Sequence, residues 1–163
     1  SGILPLPVMY LFLKKYKSKN KWDMWAATDP DLEKEIIGSY EVSVSDNMDM
    51  VMETTRQLRE FCNAHQLGTG KSFRICLAVE EIAGNIVEHG FTGKKGKHFI
   101  DLRLTLEKDG SGCLSLRDNG VKFNPLEYRN KDTQYGLAII RGISEKIDYH
   151  YVASMNCLNV IIR

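Results

Sequence analysis

Glu81 and Asn85 stand four residues apart in the run Ala78-Val79-Glu80-Glu81-Ile82-Ala83-Gly84-Asn85-Ile86-Val87-Glu88-His89-Gly90. In a helix that spacing stacks the two side chains one turn apart on a common face. A carboxylate and a carboxamide placed in this way can serve one ligand. The carboxylate takes a proton from an attacking hydroxyl, and the amide oxygen joins an octahedral Mg²⁺ shell with water and phosphate oxygens. The plain alternative is a solvated polar face. Cys76, Val79, Ala83, Ile86 and Val87 form the apolar stripe on the other side, with Glu80 on the flank.

Two further segments carry chemistry. Leu114-Ser115-Leu116-Arg117-Asp118-Asn119-Gly120 reads as a strand ending in Asp-x-Gly. Asp118 there can accept from an exocyclic amine such as that of adenine, and Gly120 lets a ring approach the backbone. An ordinary Asp-Asn-Gly turn is the alternative. Gln134-Tyr135-Gly136-Leu137-Ala138-Ile139-Ile140 opens a helix with a glycine, whose free N–H groups can hold phosphate. By contrast, Gly68-Thr69-Gly70-Lys71-Ser72 only imitates the end of a P-loop. His65 stands where the first glycine belongs, and the segment joins two helices, so it reads as a turn.

The elements that must position these residues follow from periodicity. Ser39 to Ser45 alternates as a strand, and Ser45 or Asp46 can cap a helix running to about His65. Met48, Val51, Met52, Thr55, Leu58 and Cys62 share one face of it. A second helix runs from Lys71 to about His89 and is closed by Gly90. Phe99 to Leu106 and Cys113 to Leu116 form a hairpin around Lys108-Asp109-Gly110-Ser111-Gly112. Asp118 to Gln134 is loop, Tyr135 to Ile147 is helix, and Tyr149 to Ala153 with Leu158 to Ile162 makes a last hairpin. This order predicts an α+β fold, a two-layer α/β sandwich whose mixed, mostly antiparallel sheet is covered by helices on one face.

The 163 residues suit one domain with a real core, at 43% hydrophobic and 26% charged. Lys and Arg number 22 against 21 Asp and Glu, a formal charge of +1 without the cationic footprint of a nucleic-acid binder. Cys62, Cys76, Cys113 and Cys157 contain no CxxC pair and read as reduced, structural thiols. His65, His89, His98 and His150 contain no HExxH, which excludes a zincin-type metal site. Before the domain, Thr28-Asp29-Pro30 can cap a short helix through Ile37. Ile3 to Leu13 is apolar, broken by Pro5 and Pro7 and followed by Lys14, Lys15, Lys17, Lys19 and Lys21. Its eleven residues fall short of the about 20 that span a bilayer. Residues 1–38 therefore read as an arm packing on the domain or on a second copy, which allows a homodimer. The alternative is the tail of a membrane segment whose lysines mark its cytosolic side. Residues 39–163 form the domain, in the cytoplasm or at the cytosolic face of a membrane protein.

In this order the three chemistry-bearing segments resemble the histidine-kinase-like (GHKL, Bergerat-fold) ATPases. The Glu81, Asn85, His89 spacing is similar to the Asn-containing box of the family's anti-sigma-factor serine kinase branch. Arg117 to Leu126 is similar to the first glycine box, and Tyr135 to Ile140 to the second. The resemblance covers about Tyr40 to the end. It implies ATP and Mg²⁺ as cofactors, Glu81 as general base and Asn85 as the Mg²⁺ ligand. It also implies that Asp118 holds the adenine amine beside Gly120, and that Lys122, Phe123, Gly136 and Leu137 contact the nucleotide. The stretch from Phe123 to Gln134 would be a short lid over the phosphates. Three departures stand out: Lys122 and Gln134 replace frequent glycines, and Asn156-Cys157-Leu158-Asn159 lacks the frequent Gly-Thr.

The resemblance implies a kinase that transfers the ATP γ-phosphate to a serine of a regulatory protein partner, an anti-sigma antagonist or a sigma factor. The alternative is a non-catalytic, nucleotide-gated binding module, the cytosolic domain of a membrane regulator; the lysine-rich arm and the altered glycines favour it. A third reading is an α+β interaction domain without nucleotide. No phosphoacceptor-histidine helix is visible, which counts against a sensor histidine kinase.

Overall fold

A computed structural model describes residues 35–125, 127 and 134–163 of the chain. The Ile3 to Leu13 run, its lysines, the expected helix as far as residue 34 and most of the lid lie outside the described residues. The order of elements is strand, helix, helix, two strands, helix, two strands, as the periodicity predicts. Ile36 and Ile37 correct one expectation: they open strand β1 (Ile36–Val44) instead of closing a helix.

Helix α1 (Met48–Ala64) is capped by Asn47, one residue beyond the two expected caps, because its Oδ1 accepts the N–H groups of Asp49 at 2.8 Å and Met50 at 3.3 Å. Its buried face is Val51, Thr54, Thr55, Leu58 and Cys62; Met48 and Met52, expected on that face, are exposed. Helix α2 (Thr69–Asn85) starts directly after Gly68, whose φ of +79° turns the chain between the two helices. The turn reading therefore holds for Gly68 alone, since Thr69, Gly70, Lys71 and Ser72 already belong to the helix. After Asn85 the helix widens into a single π-helical turn (Ile86–Gly90). The widening rotates the apolar stripe. Ile75, Cys76, Ala78, Val79, Ile82 and Ala83 are buried, whereas Ile86 and Val87, expected among them, are only half-buried.

Strands β2 (Ile100–Glu107) and β3 (Gly112–Asp118) form the first hairpin. Its turn is held by the Ser111 N–H donating to Asp109 Oδ1 at 2.8 Å. Helix α3 (Gln134–Ile143) ends four residues before the expected Ile147, which belongs to β4 (Lys146–Val152). At that break the Ser144 hydroxyl donates back to the Ile140 carbonyl at 2.5 Å and Glu145 N–H joins Ile161 O at 2.8 Å, so the chain leaves the helix for the sheet. Strand β5 (Met155–Ile162) completes the set.

The five strands lie in the order β1-β2-β3-β5-β4, and every neighbouring pair is antiparallel, where a mixed, mostly antiparallel sheet was expected. Registration aligns apolar side chains in rows across the sheet. One row is Val42, Leu102, Leu116, Leu158 and Tyr149; the next is Tyr40, Leu104, Leu114, Val160 and Ile147. Val51 and Leu58 of α1, Ile75 and Val79 of α2 and Ile140 of α3 join these rows in one core. The result is a two-layer α+β sandwich with its helices on one face. Leu114 is fully buried there, and its truncation to Ala would cost roughly 3 kcal/mol. The row after Leu116 is different, because it continues Ile100, Asp118, Asn156 and Tyr151. Two polar residues on the core face mark where the core gives way to a cavity.

Among the described residues no helix is long and apolar enough to cross a membrane. No disulfide forms among them either; Cys62, Cys76 and Cys157 are buried thiols, and burial pushes Cys62 and Cys157 up to about 11.

Candidate functional site

The cavity opens between α2, α3 and the ends of β3, β4 and β5. From α2 and its π-helical turn it receives Glu81, Asn85 and His89, one below the other, with Ile82 and Ile86 beside them. An α-helix drifts about 40° over four residues, whereas a π-helical turn of slightly more than four residues nearly cancels the drift. His89 thus stays on the Asn85 side. From α3 come Gly136, Leu137, Ile140 and Arg141, and Ile147 and Tyr149 of β4 and Leu158 of β5 form the apolar floor with Leu116. Such a wall with few polar groups suits a flat heteroaromatic ring.

Asp118 sits at the inner end, 5% exposed. Its Oδ1 accepts the Gly120 N–H at 2.8 Å and Asn156 Nδ2 at 3.0 Å. Among the described residues both hydrogen bonds end on Oδ1, which leaves Oδ2 for a donor in the cavity. Burial raises the Asp118 pKa, while the two hydrogen bonds and the charge of Lys94 oppose the rise. Asn156 extends the network. Its Nδ2 also donates to the Val121 carbonyl at 2.9 Å, and its Oδ1 accepts Phe123 N–H at 3.0 Å and the Tyr149 hydroxyl at 2.7 Å.

Both expected glycines stand at close approaches. A Cβ on Gly136 would lie 2.4 Å from Glu81 Oε2, so the carboxylate rests against the first turn of α3. The positive end of that helix favours a negative group there. A Cβ on Gly120 would lie 2.5 Å from the Gly90 carbonyl oxygen and 2.8 Å from Asp118 Oδ1. The Val121 N–H donates to the same Gly90 carbonyl at 2.7 Å. The first glycine segment is therefore docked on the end of α2, a reason for Gly120 additional to room for a ring.

The structure brings Glu81, Asn85, Asp118, Phe123, Gly136 and Leu137 to one cavity, with Gly120 immediately behind Asp118. Lys122 is not brought there. It is exposed, and its ammonium lies 5.2 Å from the centre of the Tyr151 ring, a cation–π contact on the outside. Sequence reasoning missed Asn156, Tyr149, Arg141 and His89 as lining residues. For Asn156 a signal existed: it alternates with Leu158, Val160 and Ile162, so strand period places a carboxamide on the core face.

The donor set fits a magnesium nucleotide. Asp118 Oδ2 is an acceptor in the lining, and Glu81 and Asn85 lie in the same lining beside Gly136 at the opening of α3. Among the described residues no group of three or more His, Cys, Asp or Glu could hold a metal ion alone. Mg²⁺ that travels on phosphates keeps several waters and takes one or two protein ligands, a demand that this pair meets.

Comparison with known proteins agrees with the geometry. Residues 44–162 match the family described as the histidine kinase-like ATPase domain. No curated protein matches the chain in sequence. Among solved structures, the RsbU and RsbW domains of Rv1364c from Mycobacterium tuberculosis are similar with a TM-score of 0.58 at 18% identity. That match covers 77% of this chain and 32% of the other, so the chain spans about a third of that relative's length. The SiaB–SiaC complex from Pseudomonas aeruginosa contains a similar chain, with a TM-score of 0.59 at 16% identity, covering 86% of this chain and 98% of that one. At these identities the likeness is one of fold. The matched stretch runs from the last residue of β1 to the last of β5 and contains the whole cavity, and by that match the chain belongs to the histidine kinase-like ATPase domain family.

Proposed function

We propose that the chain is an ATP-binding regulatory domain that transfers the ATP γ-phosphate to a serine of a partner protein. The observation that carries this reading is the convergence of Glu81, Asn85, Asp118 and Gly136 on one cavity from elements far apart in sequence. Asp118 accepts the base amine through Oδ2, and the apolar floor receives the ring. Asn85 supplies its amide oxygen to Mg²⁺, which neutralises phosphate charge when bound. Glu81 is half-buried beside the opening of α3, where it accepts the proton of an incoming hydroxyl. A new serine O–P bond then replaces the β–γ bridge, and ADP leaves. A protein partner is supported by the likeness to a chain crystallised in a two-protein complex, SiaB–SiaC.

The second reading is a nucleotide-gated module without transfer. One observation favours it: the Lys122 ammonium lies over Tyr151, and among the described residues the cavity lining includes Arg141 but no lysine. Glu81→Gln separates the two. It is expected to bind ATP as the wild type does, while label transfer from γ-labelled ATP to a serine-bearing partner falls on the order of 100-fold or more. Equal transfer by both proteins removes the general-base role. Transfer by neither assigns the chain to the gated module.

A further inference from the structure

Asn156 has its whole hydrogen-bonding capacity in use. A carboxamide offers two N–H donors and an oxygen with two lone pairs. Here Nδ2 reaches Asp118 Oδ1 and Val121 O, and Oδ1 receives Phe123 N–H and the Tyr149 hydroxyl. The residue is 7% exposed and directly opposite Asp118 in the β3–β5 register. Its amide orientation is fixed by chemistry. The Phe123 amide can only donate, and the Asp118 carboxylate and Val121 carbonyl can only accept. Turning the amide over would set N–H against N–H and oxygen against oxygen.

The four partners come from the end of β3, the loop that follows it, and β4. We infer that Asn156 is a positioning residue of the nucleotide site: its amide fixes the Asp118 carboxylate with Oδ2 left to the cavity and ties it to Val121 and Phe123 in the segment after β3. The inference rests on the proposed ATP site, and it goes further by naming what orients that site from a segment lacking the family's frequent Gly-Thr.

Asn156→Asp tests it, because the substitution keeps the shape while it removes the donor half and sets a second carboxylate in its place. The new carboxyl still accepts from Phe123 N–H and Tyr149, but it faces the Asp118 oxygen 3.0 Å away without a proton to give. The ionisable groups around the pair are Tyr149, Tyr151 and Cys157, with Lys94 near enough to favour the Asp118 carboxylate. Titration of ATP with Mg²⁺ at about pH 8 and about pH 6 reads the ratio of variant to wild-type affinity, which cancels protonation of the phosphates themselves. At the higher pH the variant is expected to bind about tenfold more weakly or worse, the effect of losing one hydrogen bond to a charged group and of setting a like charge beside it. At the lower pH the ratio is expected to shrink, because two carboxylates at this distance share a proton that restores the donor. Equal binding at the higher pH, or the same loss at both, overturns the inference; a purely structural defect gives the second pattern. If Asn156→Asp does not fold, Tyr149→Phe carries the test. It removes one donor to Oδ1 and keeps the Asp118 contact, so a weakening of about threefold, equal at both pH values, supports the inference and unchanged affinity overturns it. Wild-type protein that binds no ATP at either pH overturns the site reading itself, a result distinct from all of these.

Discussion

Asp118 is a carboxylate held where burial disfavours its charge. Its pKa is raised, first by burial, against the opposing hydrogen bonds from Asn156 and Gly120. A carboxyl with a raised folded-state pKa contributes most below its unfolded value and loses that contribution as pH climbs through the folded pKa. Near neutral pH its ionisation therefore costs stability. Asp118→Asn keeps the acceptor for Gly120 and Asn156 and discards the charge. Thermal unfolding should show a gain of about 1 kcal/mol near neutral pH, a few degrees in melting temperature. The gain should vanish on acidification, while ATP binding is lost. A less stable variant at neutral pH would refute the burial argument. Asp118 was legible in the sequence because an Asp-x-Gly at a strand end is a local pattern. The role of Asn156 was not, since it depends on a strand register that joins residues 38 positions apart.

At the scale of elements, α2 positions one side of the site and α3 the other, and the two glycines at their contacts respond differently to a methyl group. At Gly120 the Cβ meets the backbone carbonyl of Gly90, which cannot move without shifting the end of α2. Gly120→Ala is expected to destabilise by about 2 kcal/mol in a denaturant titration. At Gly136 the Cβ meets only the far end of the Glu81 side chain, which can rotate away. Gly136→Ala is expected to stay within about 1 kcal/mol of wild type and, if Glu81 is the base as proposed, to lose phosphate transfer, because the carboxylate is displaced. Equal destabilisation at both positions would contradict this division. The existence and order of these elements were legible from period alone. Two features were not. The π-helical turn leaves no pattern distinct from an α-helix over five residues. Ile143 and Ile147 sit four apart, which reads as helix, although the hydrogen bonds of Ser144 and Glu145 end the helix between them.

For the molecule as a whole, the apolar rows of the core end at a polar row, and the cavity proposed to bind ATP occupies that end. Folding thus brings together three segments that each have a commonplace alternative alone: a polar helix face, a turn and a glycine at a helix start. Their convergence distinguishes a site from three coincidences, and the order of the segments made it legible before the fold was known. Calorimetric titration with ATP and Mg²⁺, comparing wild type with Asp118→Ala, addresses that convergence most directly. Saturable, Mg²⁺-dependent binding by the wild type and a loss of at least about 100-fold in the variant are expected, since the base amine loses its charged acceptor in a buried site. Equal affinity in the two proteins, or no binding by the wild type, would contradict the assignment of this cavity to ATP.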